Sequence, residues 1–476
     1  MSGIYLHIPF CKQACSYCDF YFVTRDGLIP EFVDALVQEI TAVPAGDGSP
    51  FPGDPVRTLY LGGGTPSRLP LSQFERIFDA LNRHFDISGL TECTVEVNPE
   101  DVTTEWLSGV RESGVTRLSM GIQSFQPELL EFMHRAHSAP VAHRALENVA
   151  RAGYTSFSVD LIYGCPGQTD AQLLDDLDRL LAYDPPHLSA YSLTIEPRTR
   201  LGKQAELGRL KPADDETVVR QSRLIRDVLS ANGIHQYEIS NYARPGHEAE
   251  HNSAYWSHEN YLGLGPAAHS FYWPGAGLEA VPRTGMKGEQ QPGMEGVPQP
   301  GLKKEQKVES QALRWYQPAD IHAYGRLARS DSYRTWLDRV LSGAQGYRSG
   351  ETSATPSGCP ASPEAKIPAD SGLSASSGFS TGSGFPAAFT APPDGLETEQ
   401  LSLQSLVGER VMTGLRTRGG VNPDELASRY GHPLTPSQRR HIAEFRKRGL
   451  MEPEDPLRLT DAGYDLADAI ILRLLD

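Results

Sequence analysis

Three cysteines stand close together near the start of the chain, in the stretch HIPFCKQACSYCDF at residues 7–20. Cys11, Cys15 and Cys18 are half of the six cysteines in 476 residues. Their C-x3-C-x2-C spacing directly follows a short apolar run that predicts a β-strand. Cysteines gathered in this way bind metal in a reducing compartment. The sequence therefore predicts a metal centre on the loop after the first strand.

The number of cysteines narrows the choice of metal. Structural zinc usually takes four protein ligands that arrive as two pairs, and there is no second pair here. Three thiolates suit one [4Fe–4S] cluster in which each thiolate binds one iron and the fourth iron stays open. The open iron can bind S-adenosyl-L-methionine, whose one-electron cleavage yields a 5′-deoxyadenosyl radical. A structural zinc loop and unligated thiols are the alternatives.

Polar or glycine residues follow several predicted strands. The stretch YLGGGTPS at 60–67 is a glycine-rich turn, and VEVNPE, MGIQSF and SVDLIYGCPGQT place Glu96, Gln123 and Asp160 at or near strand ends. Parallel strands present their carboxyl ends on one face, where ligands bind. The alternative for the glycines is an ordinary tight turn. Asp160 could instead cap a local group or pair with Arg135.

The elements that would position these residues alternate regularly up to about residue 240. Short β-branched or aromatic runs predict six strands, at 4–8, 58–61, 94–97, 117–120, 155–162 and 188–193. Amphipathic stretches predict helices between and after them, at 29–43, 72–84, 103–112, 140–152, 170–182 and 214–231. This alternation is typical of βαβ units around a parallel sheet. We therefore predict an α/β fold built on a partial (β/α)6 TIM barrel.

The rest of the chain divides by composition. We predict disordered low-complexity insertions at 275–312 and 342–398, where Gly, Pro and Ser dominate, and a segment at 313–341 between them. Helical patterns return at 399–476 and predict a winged-helix-like domain, with Thr435 and Pro436 starting one helix and Thr460 capping the last. Residues 401–476 carry 11 basic and 11 acidic residues. A neutral domain of this kind is a poor ligand for nucleic-acid phosphates.

Charge and hydropathy limit the partners. The formal net charge is −16, which disfavours binding to nucleic acid or an anionic membrane surface. No apolar run approaches the roughly 20 residues that a membrane span needs, and the N-terminus lacks the features of a signal peptide. The sparse cysteines do not form a disulfide framework. We expect a cytoplasmic protein with no integral membrane segment that works on small molecules.

Seven stretches together resemble a known family. They are IYLHIPFCKQACSYCDF, LGGGTPS, RLSMGIQSFQPELL, DLIYGCPGQT, LTIEPRT, QYEISNYARPGHEAEHNSAYW and YLGLGPAAHS. In this order they resemble the radical S-adenosylmethionine (radical SAM) family of oxygen-independent coproporphyrinogen III oxidases (the HemN family), and within it the HemW branch of heme chaperones. The resemblance covers 4–273 and resumes at 313–341 and 401–476, so the core with its HNxxYW element is expected to span 1–274.

The resemblance implies a cofactor site residue by residue. Cys11, Cys15 and Cys18 would hold the cluster. S-adenosylmethionine would lie against nine residues: Tyr5, Tyr17, Gly63, Gly64, Thr65, Glu96, Gln123, Arg135 and Asp160. In that reading Tyr17 lies over the adenine and Arg135 faces the methionine carboxylate. Glu96 and Asp160 would bond ribose and amino groups, and the glycine turn would hold the methionine amino group. No residue is carried over as catalytic.

Two departures separate the branches of this family. The oxidases carry a fourth cysteine two positions after the third, where this chain has Phe20, and a long N-terminal extension, whereas ten residues precede Cys11 here. Both departures favour a heme chaperone. An oxidase that converts coproporphyrinogen III to protoporphyrinogen IX remains the alternative.

The stretch HNSAYW at 251–256 matches the H-N-x-x-Y-W element associated with heme in the chaperone branch. The His251 imidazole could ligate heme iron, and Tyr255 and Trp256 offer flat apolar area for a porphyrin. Alternatively the aromatic residues pack a loop against the barrel and His251 bonds a polar neighbour. The resemblance implies heme or a porphyrin as ligand. It also implies a recipient hemoprotein, with respiratory membrane enzymes among the candidates.

Overall fold

The computed structural model describes residues 2–51, 53–273, 312–342 and 392–475. The two predicted insertions, apart from their outermost residues, and also Cys359 lie outside these ranges. Within them, no helix combines the length and the apolar character that crossing a membrane requires.

Twelve strands form one open sheet in the described residues. In chain order they are β1 (Ser2–Ile8), β2 (Val56–Gly63), β3 (Glu92–Val97), β4 (Arg117–Gln123), β5 (Phe157–Tyr163), β6 (His187–Ser192), β7 (His235–Gln236), β8 (Asn241–Ala243), β9 (Asn260–Leu264), β10 (His269–Tyr272), β11 (Ala312–Tyr316) and β12 (Glu397–Leu401).

Helices of very different length surround the sheet. They are α1 (Ile29–Ala42), α2 (Leu71–His84), α3 (Thr104–Glu112), α4 (Pro127–Phe132), α5 (Ala139–Arg151), α6 (Asp170–Leu181), α7 (Arg200–Glu206), α8 (Asp215–Ala231), α9 (Glu250–Trp256), α10 (Ile321–Ala328), α11 (Asp331–Ser342), α12 (Leu403–Gly414), α13 (Pro423–Arg429), α14 (Pro436–Lys447), α15 (Asp461–Tyr464) and α16 (Ala467–Leu475).

The six predicted strands form the centre of the sheet. Strands β1 to β6 pair with their sequence neighbours, all in parallel. Their side chains are buried almost throughout, and the six predicted helices return the chain between them or pack beside them. This confirms the (β/α) reading, because a parallel sheet covered by helices needs near-continuous apolar strands.

The sheet extends beyond the six strands at both edges. Strand β9 pairs with β1 in parallel, and β10, β11 and β12 continue from it in antiparallel pairs. On the far side β8 and β7 add an antiparallel edge to β6. Sequence patterns did not predict these outer strands, which are mostly two to five residues long.

The segment at 312–342 is fastened to the barrel through a buried glutamate. Glu39 of α1 is fully buried and accepts hydrogen bonds from Gln317 Nε2, Tyr324 Oη, Tyr333 Oη and the Gly265 amide, at 2.6 to 2.9 Å. Four donors satisfy the carboxylate that burial would otherwise disfavour. Strand β11 and helices α10 and α11 are thus tied to the first helix of the barrel.

Residues from 403 onward form a helical unit whose apolar core includes Leu406, Phe445 and Ile471 and is continuous with Phe271 of β10 and the adjoining Trp273. Thr435 caps α14 and Pro436 lies in its first turn, as predicted, and Gln438 completes a capping box with Thr435. A short antiparallel turn follows, with bridges at Met451 and Leu459. Thr460 caps α15 rather than the last helix, because the helix that begins at Asp461 ends at Tyr464 and a separate helix, α16, begins at Ala467.

Candidate cofactor-binding site

The three clustered cysteines lie on a loop at residues 9–25, here called the cluster loop, which leaves the carboxyl end of β1. Hydrogen bonds fix this loop to the segment after α4. The amide of Ser16 donates to the carbonyl of Met133 at 3.0 Å, its hydroxyl donates to that of Phe132 at 2.8 Å, and His134 Nδ1 donates to the carbonyl of Ala14 at 2.8 Å. The position of the loop is therefore fixed by hydrogen bonds to residues 132–134, in the connection that follows β4.

The three thiols of the cluster loop are half-buried, and they lie close enough for the charge of one to raise the pKa of another. Burial raises the pKa of Cys11 to about 12 and also raises the pKa of Cys18. A thiolate at such a position needs nearby positive charge, which bound iron supplies. In the described ranges no three Cys, His, Asp or Glu side chains converge closely enough for a single metal ion. A four-iron cluster does not require this convergence, because each thiolate binds a different iron.

The glycine turn after β2 passes directly under the start of the cluster loop. A Cβ on Gly64 would lie 2.7 Å from the Pro9 carbonyl carbon, and Gly63 has a positive φ of 103° with its Cβ position 2.5 Å from the His7 ring. Thr65 is buried, and its hydroxyl donates toward Cys11 Sγ at 3.6 Å. Glycine is required here because the two backbones approach each other too closely for a side chain.

Arg135 joins the cluster loop to the sheet. Its guanidinium donates to Cys15 Sγ at 3.3 Å and Tyr17 Oη at 3.4 Å, and also to Asn98 Oδ1 at 2.8 Å and the Gly121 carbonyl at 2.7 Å. The alternative of an Asp160–Arg135 pair is not observed among the described residues. The guanidinium therefore lies beside Cys15, a predicted cluster ligand, and Tyr17, a predicted S-adenosylmethionine contact.

Asn98 completes this network, and the sequence analysis missed it. Its Nδ2 donates to Thr65 Oγ1 at 3.0 Å while its Oδ1 accepts from Arg135. The path Cys11, Thr65, Asn98, Arg135, Cys15 is therefore continuous in hydrogen bonds. The signal was present in VEVNPE, where Asn98 follows β3 two positions after Glu96.

Glu96 sits inside the sheet beneath the glycine turn. Tyr60 Oη donates to it at 2.8 Å, and the Gly63 amide donates at 3.1 Å. Burial, together with the charge of Asp160, raises its pKa to about 7. The Tyr5 ring stacks on Tyr60 at 6.1 Å, so Tyr5 and Glu96 belong to one buried group.

Asp160 and Gln123 occupy different levels of the sheet. Asp160 lies in the middle of β5, not near its end as expected, because β5 continues to Tyr163; it accepts hydrogen bonds from Ser119 Oγ at 3.3 Å and Ser158 Oγ at 3.4 Å. Burial raises its pKa. Gln123 ends β4 with a positive φ of 70°, and its buried Oε1 has no hydrogen-bond partner in the described ranges.

These observations fit the expected cofactors. A buried amide oxygen without a partner, a backbone cradle that a Cβ would fill, and three half-buried thiols beside a guanidinium all surround the same end of the sheet. The structure thus brings together Tyr5, Tyr17, Gly63, Gly64, Thr65, Glu96, Gln123 and Arg135 around or below the cluster loop, with Asp160 deeper.

His251 lies behind this group, on the short helix α9, where its ring stacks on Tyr60 at 5.2 Å between centroids. Its side chain is buried, with Nδ1 sharing a hydrogen bond with Thr58 Oγ1 at 2.8 Å and Nε2 sharing one with Tyr255 Oη at 2.8 Å. Burial lowers its pKa to about 3. Both ring nitrogens have partners, so this conformation does not offer His251 to iron. The geometry agrees with the alternative in which His251 bonds polar neighbours, although the element is a helix and not a loop.

A large cavity of about 960 Å3 opens beside the cluster loop. Its walls include Tyr5 of β1, Phe20 of the cluster loop, Tyr255 of α9, Phe271 of β10 and Met412 of α12. Phe20, which stands where the oxidases have a fourth cysteine, is 71% exposed. The cavity thus joins the predicted cofactor site to the HNSAYW helix and the C-terminal unit.

Comparison with known proteins assigns the chain. Residues 5–180 match the family model of the radical SAM superfamily, and residues 401–466 match that of the HemN C-terminal domain. The heme chaperone HemW of Bacillus subtilis is 39% identical over 274 residues, which cover 57% of this chain and 71% of that protein. The chain belongs to the heme chaperone HemW family. The HemW of Escherichia coli is 36% identical over 267 residues, covering 56% of this chain and 69% of the relative.

The fold agrees with that assignment. Coproporphyrinogen III oxidase (HemN) from Escherichia coli has a TM-score of 0.64 at 18% identity, covering 99% of this chain and 89% of the other. Membership of the HemW family and the radical SAM superfamily implies a [4Fe–4S] cluster and S-adenosylmethionine. The resemblance inferred from the seven stretches is confirmed.

Proposed function

We propose that this chain binds heme and delivers it to a recipient hemoprotein, as the name of its HemW relatives describes. The observation that carries the proposal is the 39% identity to a heme chaperone over 71% of that protein's length. The large cavity supports it, because its volume lies within the range of about 300 to 1,000 Å3 that ligand pockets usually have.

The cluster is proposed to bind through Cys11, Cys15 and Cys18, one cluster per chain. A [4Fe–4S] cluster with an open iron supplies an electron and a binding position for S-adenosylmethionine. The chain's own contribution is the pinned cluster loop, in which Arg135 donates to Cys15 and Thr65 donates to Cys11. Hydrogen bonds to cluster sulfurs tune the reduction potential.

S-adenosylmethionine is proposed to lie against the eight residues gathered near the cluster loop together with Asp160. Gln123 Oε1, which is buried without a partner, is available to accept a hydrogen bond from the ligand. The glycine turn allows the methionine end to approach the backbone, and Arg135 supplies a cation for its carboxylate. Tyr17, packed beside Leu129 and Met133, offers its ring to the adenine.

The first test separates cluster binding from heme binding. The full chain, purified and reconstituted without oxygen, is expected to hold close to four irons and four sulfides per chain. Cys15→Ser should abolish this iron content, whereas Cys359→Ser, a change outside the described ranges, should preserve it. Wild-type-like iron content in Cys15→Ser would contradict the ligand assignment.

The second test addresses heme. Titration of the reconstituted chain with hemin is expected to give a shifted, saturable Soret band. No shift would contradict heme binding itself. The recipient is proposed to be a hemoprotein, with respiratory membrane enzymes as one class to test, and the place of action to be the cytoplasm, on the cysteine usage described above.

The oxidase alternative has weaker support. The likeness to coproporphyrinogen III oxidase is 18% in sequence and shows the fold alone, and Phe20 occupies the position of the fourth cysteine. Anaerobic incubation with coproporphyrinogen III, S-adenosylmethionine and a reductant should leave the propionate side chains intact. Formation of vinyl products would favour the oxidase.

A further inference from the structure

Three histidines line the large cavity, and they differ in what their rings can do. They are His7 of β1, His258 after α9 and His269 of β10. A ring nitrogen must be neutral, reachable and without a competing bond to ligate heme iron. His251 is absent from the cavity wall and lies behind Tyr255, which does line it.

The side chains of His7 and His258 are buried and hydrogen-bonded within the chain. His7 is 4% exposed, and its two nitrogens bond Tyr5 Oη at 3.1 Å and the Tyr21 carbonyl at 3.0 Å. His258 is 5% exposed: its Nδ1 bonds Tyr430 Oη at 3.1 Å, and its Nε2, which has no hydrogen bond in the described ranges, is buried 3.6 Å from Glu409 and cannot be reached from the cavity. Neither can approach the centre of a porphyrin without breaking these contacts.

His269 is different. Its side chain is exposed to the cavity, and the structure records no hydrogen bond from either ring nitrogen to the described residues. The Tyr316 ring holds the imidazole edge-on at 4.5 Å between centroids, on the neighbouring strand β11. Burial and the charge of Arg314 lower its pKa, which keeps the ring neutral near pH 7.

The surroundings of His269 suit a metalloporphyrin. Phe20, Tyr261 and Phe271 provide aromatic surface on the cavity wall. Two cations, Arg198 and Arg314, also line it and could bind propionate carboxylates, although each now pairs with an acidic side chain. The Arg198 side chain is 81% exposed, so its partner Asp19 can be exchanged for a ligand at little cost.

We propose that His269 is the residue that ligates heme iron in the large cavity, and that His251 acts behind it by positioning Tyr255. This inference rests on the proposed heme binding and assigns its site. It places the iron ligand in the stretch GLGPAAHS and gives the HNSAYW helix a supporting role in the cavity wall.

The test uses the full reconstituted chain titrated with hemin. Its variants are His269→Ala, His269→Gln, His251→Ala and the control His322→Ala, whose histidine is exposed and lies off this cavity. Both His269 variants should bind hemin at least about tenfold more weakly, which corresponds to about 1.4 kcal/mol. They should also lose the histidine-ligated ferric spectrum, and added imidazole should restore that spectrum in His269→Ala. Circular dichroism verifies that each variant is folded.

The outcomes separate this inference from the proposed function. His251→Ala should retain the histidine-ligated spectrum even where its affinity falls, and His322→Ala should match wild type. A wild-type spectrum and affinity in both His269 variants would overturn the inference while heme binding stands. Loss of the histidine-ligated spectrum in His251→Ala but not in His269→Ala would overturn it in favour of His251. Absence of hemin binding by the wild type would overturn the proposed function and the inference with it.

Discussion

Replacing Asn98 by alanine interrupts the hydrogen-bond path between the two sides of the candidate cofactor site. Asn98 holds Arg135 at 2.8 Å on one side and Thr65 at 3.0 Å on the other. In the proposed site Arg135 faces the carboxylate of S-adenosylmethionine, so its orientation determines how well that carboxylate is bound. Asn98 itself contacts none of the cluster-loop thiols directly.

The magnitude follows from the bond that is lost. A hydrogen bond from a charged donor contributes about 1.5 to 3 kcal/mol. Arg135 keeps its bond to the Gly121 carbonyl at 2.7 Å, which continues to orient the guanidinium. We therefore expect the lower end of the range, about a tenfold loss in affinity for S-adenosylmethionine.

The assay is anaerobic titration of the reconstituted chain with S-adenosylmethionine, followed by the electron paramagnetic resonance spectrum of the reduced cluster. Asn98→Asp should bind nearly as well as wild type, because a carboxylate still accepts from Arg135. Asn148→Ala removes a similar amide that donates to the Val102 carbonyl at 3.0 Å away from the site, and it should have no effect. The reasoning would be refuted if Asn98→Ala, with full iron content, bound S-adenosylmethionine within twofold of wild type.

Three further predictions concern the frame that holds the site. Glu39→Ala removes the acceptor of four buried hydrogen bonds and should lower the free energy of unfolding in urea by at least about 3 kcal/mol. The control Glu31→Ala, at an exposed position, should change it little. Equal stabilities of the two variants would show that the hydrogen bonds to Glu39 do not stabilise the fold. Burial raises the pKa of Glu39 from 4.5 to about 7, so the folded state binds the extra proton and this group's contribution to stability falls as pH rises from about 4.5 to 7 and is level above that. The wild type should therefore lose more stability than Glu39→Gln between pH 5 and pH 8, and parallel profiles would exclude this role. Gly64→Ala forces a Cβ to within 2.7 Å of the Pro9 backbone and should reduce iron incorporation, while Gly46→Ala, which meets nothing within 4 Å, should incorporate iron fully; normal iron in Gly64→Ala would show that the turn can relax.

The parallel core could be predicted because its signals are local. Each of the six strands is a short, nearly continuous apolar run, and each is followed along the chain by an amphipathic stretch with a period of 3.6 residues. Thr435 followed by Pro436 marked the start of one helix to the residue. These features depend on neighbours in sequence, and the structure confirms them.

The outer strands could not be predicted for the opposite reason. Strand β9 is the five-residue stretch NYLGL, whose pairing with β1 depends on a partner about 250 positions earlier in the chain. Strands β10 to β12 pair across residues that lie far apart in sequence. Short strands of this kind are stabilised by tertiary contacts, which no local pattern reveals.

The candidate site likewise contains residues that local patterns predict and residues that only the fold reveals. The cysteine spacing identified one end of the sheet, because clustered thiols in a reducing compartment bind metal, and the glycine turn was informative beside them. Asn98 was missed because an asparagine before Pro99 also fits an ordinary turn. His251 suggested a ligand because HNSAYW matches the H-N-x-x-Y-W element, whereas its burial and its bonds to Thr58 and Tyr255 are visible only in the fold.

Delivery of heme to a second protein can be followed spectroscopically. The reconstituted chain, loaded with one equivalent of hemin and separated from the free ligand, is mixed with an apo-hemoprotein whose holo spectrum is distinct. We expect the chain's Soret band to decline while that of the recipient rises, at a rate faster than hemin release into buffer alone. A chain that binds no hemin, or that keeps it indefinitely in the presence of the recipient, would not be a heme chaperone.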